Sequence, residues 1–491
     1  MTKLRQLRAR TSGFPLFELS EQLIELILSH TAVATRVAFI KVFGEDDLTL
    51  RALLHRVALP DIIAPWLPFD DYVLKFGKYV HMLLLRDMTN RSSFDILAGF
   101  TSCRTLLINM RTCPITLFYS LGKMLALQTV RLVATKAPEP KQRTAIDWIN
   151  YVIHSGRKMS IEWESDVEDL DEFDKLHSIL SDISNNSRVR FAIKAPYSAN
   201  VGQCFQQLAP QLSRLEIHQP PDESCFGADV EAVFGNEDIA FVNLASLALP
   251  ICCCNLSFAP AKYPSLSQLH LHSIQANCSG ARRQHIPAVV AIFFGSVWST
   301  ITECSISISE IETSTVVGMV NQMPMLANFT LSTKSALDVA VVMPHMPYIR
   351  QLVVEASALI CNSAQHLSKS LAVNRHLFKL CLMSIKVNTP AIQFILNLPS
   401  LRSLELIDLQ WTPDVIHKYL ENSSPATSAT VWNLVVDSDQ DSCATDDTIL
   451  ALCMMFPSLK TVALPGYPIA TLTLTMKAFP SISVSARSKF L

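Results

Sequence analysis

The stretch "NLPSLRSLELIDL", Asn397 to Leu409, places Leu401, Leu404 and Leu406 in the frame apolar-x-x-apolar-x-apolar, two residues after Pro399. That frame returns at Val80, Cys103, Leu127, Gly156, Arg188, Leu212, Leu244, Leu266, Ile301, Leu326, Ile349, Leu377, Val431 and Leu459. The copies stand 22 to 35 residues apart, with a mean of roughly 27. Such a spacing is the period of a repeat array, whose units leave apolar flanks that only the adjoining unit can cover.

In a chain that is 49% hydrophobic the frame alone could arise by chance, so proline serves as an independent marker. Pro210, Pro264, Pro324, Pro347, Pro399 and Pro457 each lie two residues before a frame. With 26 prolines in 491 residues, fifteen such positions should hold about 0.8, and they hold six. Proline cannot continue a helix, so it ends one segment and turns the chain into the next strand. The preceding segments read as helices. TPAIQFILNLP and TPDVIHKYLENS open with a capping threonine and a proline, and DDTILALCMMFP opens with acids that suit the positive helix end. Each unit is then strand, loop, helix, turn.

The expected fold class is α/β. About fifteen parallel strands at about 4.8 Å spacing make a sheet roughly 70 Å long. Helices are wider than strands, so the stack should curve with strands on the concave face and helices outside. This pattern resembles the leucine-rich-repeat superfamily in its irregular form and covers residues 75–491 as one solenoid.

Residues 1–13 form a basic arm carrying Lys3, Arg5, Arg8 and Arg10. In residues 14–74, PLFELSEQLIELILSH puts Leu19, Leu23, Leu26, Ile27 and His30 on one helical stripe, and Leu48–Phe69 reads as a second helix, interrupted by Pro60. A small all-α segment with Phe14 and Pro15 ahead of Leu19, Leu23 and Ile27, directly before leucine-rich repeats, resembles an F-box of the fungal type. The resemblance implies the substrate-recognition subunit of a Skp-cullin-F-box ubiquitin ligase. Phe14, Pro15, Leu19, Leu23 and Ile27 would touch the Skp-type adaptor of the cullin complex, and the repeats would hold a protein substrate. The same helix could instead only cap the open end of a non-catalytic repeat scaffold.

Several function classes are disfavoured. Net charge is −2, so no global field favours nucleic acid or an anionic membrane. The longest apolar run, Ile286 to Trp298, is 13 residues and too short to span a bilayer. Thirteen cysteines, none in C-x-x-C spacing, fit neither a disulfide framework nor a zinc knuckle, and point to a cytoplasmic or nuclear protein. The triplet Cys252–Cys254 reads as core packing. The closest two of 13 glycines, Gly227 and Gly235, are eight apart, which leaves no dinucleotide or Walker loop. No enzyme, cofactor or metal is expected.

The candidate substrate-binding residues lie between or just after the frame's later apolar positions. They are Arg86, Arg131, Glu162, Lys194, His218, His270, His272, Glu355 and Asp437. Leu269 and Leu271 point inward, which projects His270 and His272 onto the open face. Mixed charge in this set suits a protein partner. The acidic run Glu164 to Asp174 reads as a solvated helix face or a dock for a basic partner.

Overall fold

A computed structural model describes residues 35–38, 54–60, 62–64, 67–86, 88, 94–167, 174, 176–178, 180, 183, 188–196, 205–218, 239–251, 259–273, 294–361, 374–383, 386–387, 391, 395, 397–408, 430–437 and 445–486. The chain forms two compact units, residues 1–196 with 210–214, and residues 197–209 with 215–491.

In the first unit, β1 (Arg56–Pro60), β2 (Met82–Arg86), β3 (Thr105–Asn109), β4 (Thr129–Val133), β5 (Ser160–Asp166) and β6 (Val189–Pro196) pair in chain order, all parallel. Two apolar ladders run across them. One is Val57, Leu83, Leu106, Val130, Ile161 and Val189, and the other is Leu59, Leu85, Ile108, Leu132, Trp163 and Phe191. Every rung is at most 4% exposed. Full burial of one such side chain stabilises by about 1.5–3 kcal/mol, which is why alternation at these positions dictates a strand with one covered face. The carbonyl before each strand ties successive repeats together: His81 O accepts from Arg104 N at 2.9 Å and Thr105 N at 3.0 Å, and Arg104 O accepts from Gln128 N and Thr129 N at 2.8 and 2.9 Å.

Between strands, α1 (Phe69–Phe76) buries Phe69, Tyr72, Val73 and Phe76, with Asp70 and Asp71 in its first turn and Lys75 in its last. Gly77 and Gly99 let two turns of backbone meet there: a Cβ at Gly77 would lie 2.7 Å from Gly99 O. Further on, α2 (Thr116–Leu121) packs on α3 (Glu139–His154), which starts behind Pro138 and buries Ile146, Trp148 and Ile149.

The strand β7 (Leu212–His218) is followed in the second unit by β8 (Ser246–Ile251), β9 (Gln268–Ser273), β10 (Glu303–Ser307), β11 (Asn328–Ser332) and β12 (Gln351–Glu355). Next come β13 (Lys379–Met383), β14 (Ser403–Ile407), β15 (Asn433–Asp437), β16 (Thr461–Ala463) and β17 (Ser483–Ser485). From β8 to β17 every neighbouring pair is parallel. Leu247, Leu269, Cys304, Phe329, Leu352, Leu380, Leu404, Leu434 and Val462 form one buried ladder. A second runs beside it from Leu249 through Leu271, Ile306, Leu331, Val354, Leu382 and Leu406 to Val436. The backs of the repeats carry α4 (Thr313–Asn321), α5 (Asp446–Met454) and α6 (Ile469–Ala478). As the acids of DDTILALCMMFP suggest, Asp446 and Asp447 open α5, and the Thr445 hydroxyl caps it by accepting from Thr448 N at 3.3 Å.

The leucine-rich-repeat architecture is thus present in each unit, a parallel strand per repeat with an apolar inner face. The sequence reading needs two corrections. The second helix expected over Leu48–Phe69 is not formed at 56–68: β1 is a repeat strand, followed by an antiparallel pair, Ile62–Ala64 with Leu67–Pro68. Leu54, Val57 and Leu59 are themselves a copy of the frame and are buried, and Pro60 cannot serve a helix interior. The copy assigned to Gly156 sits two residues early and that assigned to Arg188 two residues late, because Ile161 and Trp163 pair with Val130 and Leu132 on one side and with Val189 and Phe191 on the other. Three repeats add a short strand after the inner one, Ala336–Asp338, Ala358–Ile360 and Lys386–Val387, and these pair in parallel. The first runs directly into a helical turn, Val339–Val342, and Ala391 and Ile395, within the helix expected at Thr389–Pro399, are helical. Among the described residues, no helix is long and apolar enough to cross a membrane.

Candidate interaction surface

Strand alternation gives each unit an outward face opposite its apolar ladder. In the first unit one row across it reads Arg131, Glu162 and Arg190, and further along Asp166 lies beside Lys194. Arg131 donates through Nε and Nη2 to Glu164 Oε2, at 2.9 and 2.5 Å. Both partners are part exposed, so the pair holds two side chains in place more than it stabilises the fold. Glu164 and Asp166 thus belong to a strand and not to the helix read over the acidic run; residues 168–173 lie outside the described ones.

Arg86 is the last residue of β2, and its side chain lies outside the described residues. Glu162, Lys194 and His218 are half-buried on outward positions of their strands. The adaptor candidates Phe14, Pro15, Leu19, Leu23 and Ile27 all lie outside the described residues, as do Cys252–Cys254.

The second unit brings His272, Glu355 and Asp437 into one register row, with His270 in the row beside it. His272 and Glu355 stand three strands apart, and so do Glu355 and Asp437, which is about 14 Å in each case. Groups so far apart cannot hand a proton to one another, whereas they can each touch a different part of a broad partner. Ser332 Oγ donates to Glu355 Oε2 at 2.6 Å, which fixes that carboxylate on the face.

A third row, which sequence reasoning passed over, is polar from end to end: Ser246, Gln268, Glu303, Asn328, Gln351, Lys379, Ser403, Asn433, Thr461 and Ser483. The signal was available, since each except Ser483 occupies the residue just before the frame's second apolar position. Neighbours in the row bond to each other. Gln268 Nε2 donates to Glu303 Oε2 at 3.1 Å, Asn433 Nδ2 to Ser403 Oγ at 2.8 Å, and Thr461 Oγ1 to Asn433 Oδ1 at 2.6 Å. Lys379 reaches across to Glu405 Oε1 at 2.9 Å. Cys381 lies beside that carboxylate. Burial first, and then the charge of Glu405, push its thiol up to about 12.

Such a thiol stays protonated and is no nucleophile at neutral pH. Burial likewise pushes Cys103 and Cys453 up to about 12, and Cys304 higher still. Among the described residues, Cys103, Cys113, Cys304, Cys361, Cys381 and Cys453 are buried thiols, and no group of three His, Cys, Asp or Glu side chains is placed to hold a metal ion.

No protein-family model matches the chain, and no curated protein matches it. Among solved structures it is similar to TLR13, in complex with ssRNA13, at 11% identity and a TM-score of 0.34, over 84% of this chain and 55% of that one. It is also similar to the Toll–Spatzle complex of Drosophila, at 12% identity and a TM-score of 0.35, over 77% and 53% of the two chains. The Rad7–Elc1 complex of yeast gives 13% identity and a TM-score of 0.30, over 99% and 92%. The chain therefore spans about half the length of the first two. The fold assignment rests on the strand register and not on these likenesses.

Proposed function

We propose that this chain is a non-catalytic receptor that binds a protein on the outward faces of its repeats, and that it serves as the substrate-recognition subunit of a Skp-cullin-F-box ubiquitin ligase in the cytoplasm or nucleus. The observation that carries the receptor reading is the contrast between the two sides of each strand. The inward side repeats one apolar choice, while the outward side changes from strand to strand through Arg131, Glu162, Lys194, His272, Glu355 and Asp437. A regular frame with a varied polar face has the composition of a recognition surface, where charge and hydrogen bonding set specificity. Buried cysteines in thiol form fit a reducing compartment.

The adaptor role rests on the resemblance of Phe14, Pro15, Leu19, Leu23 and Ile27 to an F-box. Copurification with a Skp-type adaptor tests it. Leu23→Asp with Ile27→Asp should abolish recovery of the adaptor, and recovery unchanged by both substitutions would remove the ligase assignment. A second reading, a plain scaffold with a helical cap, has its own support. Arg36 and Val37 are buried in a helical turn, and β1 already belongs to the stack, so part of the N-terminal segment has a packing role.

A further inference from the structure

The turn leading into each strand of the second unit sets one residue at the same point of the ladder. Backbone hydrogen bonds fix this column: Phe378 N donates to Arg350 O at 2.9 Å, Arg402 N to Phe378 O at 2.9 Å, Trp432 N to Arg402 O at 3.0 Å, and Lys460 N to Trp432 O at 2.8 Å. Cation and aromatic thus alternate along one edge, as Arg350, Phe378, Arg402, Trp432 and Lys460. All five are exposed, Phe378 to 42% and Trp432 to 46%. The turns themselves, residues 346–350, 374–378, 398–402, 430–432 and 456–460, contain no aspartate or glutamate. Among the described residues, Arg350, Arg402 and Lys460 take part in no ion pair.

At the far end of this edge a hollow of about 230 Å³ opens beside Trp432 and Lys460, lined by Val435, Ala463, Thr461 and Ser483. Its wall is largely apolar and its size suits one aliphatic side chain. Basic groups lacking counter-charges, exposed rings between them and an apolar hollow together describe an anionic, chain-like ligand with a hydrophobic anchor.

We propose that this edge is the docking strip for an extended, aspartate- and glutamate-rich segment of the partner protein, with one aliphatic side chain seated beside Trp432. The proposal rests on the receptor reading above and names the chemistry of what is received. Adjacent strands lie about 4.8 Å apart, so the cations recur about every 10 Å, about three residues of a polyproline-II chain at about 3.1 Å each, which returns every third side chain to the same face. Carboxylates at every third position would meet Arg350, Arg402 and Lys460 in turn, the arginines offering paired N–H donors. Single-stranded nucleic acid fits less well, because it needs free ring faces to stack on. Lys460 Nζ already lies 5.7 Å from the centre of the Trp432 ring, and Tyr348, beside Arg350, is stacked on His376 at 6.5 Å.

Fluorescence anisotropy on the full chain tests this, with a labelled Glu-Ser-Leu repeat peptide, its Lys-for-Glu counterpart and an oligo-dT of equal length as probes. The Glu peptide should bind, more weakly as salt rises, and the Lys peptide should not. Arg350→Glu with Arg402→Glu should weaken binding at least tenfold, and Trp432→Ala about threefold to tenfold. Arg143→Glu, on α3 of the first unit and outside the recognition face, should leave it unchanged. Failure of the folded chain to bind the Glu peptide, equal binding of both peptides, indifference to the double charge reversal, or tighter binding of oligo-dT would each overturn the strip. A chain that recovers the Skp-type adaptor but ignores the Glu peptide loses the strip alone. One that binds the peptide at this edge but never recovers the adaptor keeps the strip and loses the ligase assignment.

Discussion

The Lys379–Glu405 pair allows a quantitative test of the outward face. Its side chains are 23% and 12% exposed with Nζ 2.9 Å from Oε1, so water screens it less than an ordinary surface pair. At an effective dielectric of about 20, the gross attraction is about 6 kcal/mol. Desolvation of both ions offsets most of it, leaving a coupling of about 1–3 kcal/mol. Lys379→Met strands a carboxylate over Cys381, and Glu405→Leu strands an ammonium. Each should lower the local opening free energy of β13 and β14 by about 2 kcal/mol, and the double substitution should cost about 1–3 kcal/mol less than the two together. Native-state hydrogen exchange of those two strands measures this without requiring the whole chain to unfold at once. Additivity within about 0.5 kcal/mol would refute the reasoning. Glu405→Leu should also lower the Cys381 pKa from about 12 without restoring the ordinary value near 9, since burial is the larger cause, and alkylation at high pH would report it.

Other substitutions separate the remaining arguments. Gly77→Ala should destabilise the first unit by about 1–3 kcal/mol in urea unfolding, because its Cβ would press on Gly99 O, whereas Gly122→Ala, with open space around it, should be neutral or slightly stabilising. Leu54→Ala should cost about 2–5 kcal/mol, as expected of a buried rung and not of a linker. Cys103, Cys381 and Cys453 have folded pKa values raised to about 12 from an ordinary 9, so their contribution is complete below pH 9 and is lost as pH rises towards 12. The urea midpoint should be insensitive to these thiols below pH 9 and fall above it, and Cys103→Ala should make that fall shallower.

The ladder was legible because leucine, isoleucine and valine at alternate positions admit few arrangements other than a strand with one covered face. The copy at Gly156 slipped by two residues since Met159, Ile161 and Trp163 satisfy the alternation in either register, and a slip of two keeps every side chain on its face. For that reason Glu162 was still assigned to the outward side. Leu54 was hidden by Leu50, Leu53 and Val57, whose spacing suits a helix equally well. At the surface, alternation could say which residues face out but not which neighbours they meet. The pairs Arg131–Glu164 and Lys379–Glu405, and the edge from Arg350 to Lys460, require knowing how adjacent strands align.

The short strands Ala336–Asp338, Ala358–Ile360 and Lys386–Val387 form a second parallel sheet within three consecutive repeats. Neighbouring courses there are sewn twice, once along β11, β12 and β13 and once along the short strands, with a spacing of about 4.8 Å in both seams. A double seam resists shear, since sliding one course past the next must break both rows of backbone bonds. Arg350 and Phe378, mounted on two of these courses, are thereby held at a set interval, which makes this stretch a ruler rather than a hinge.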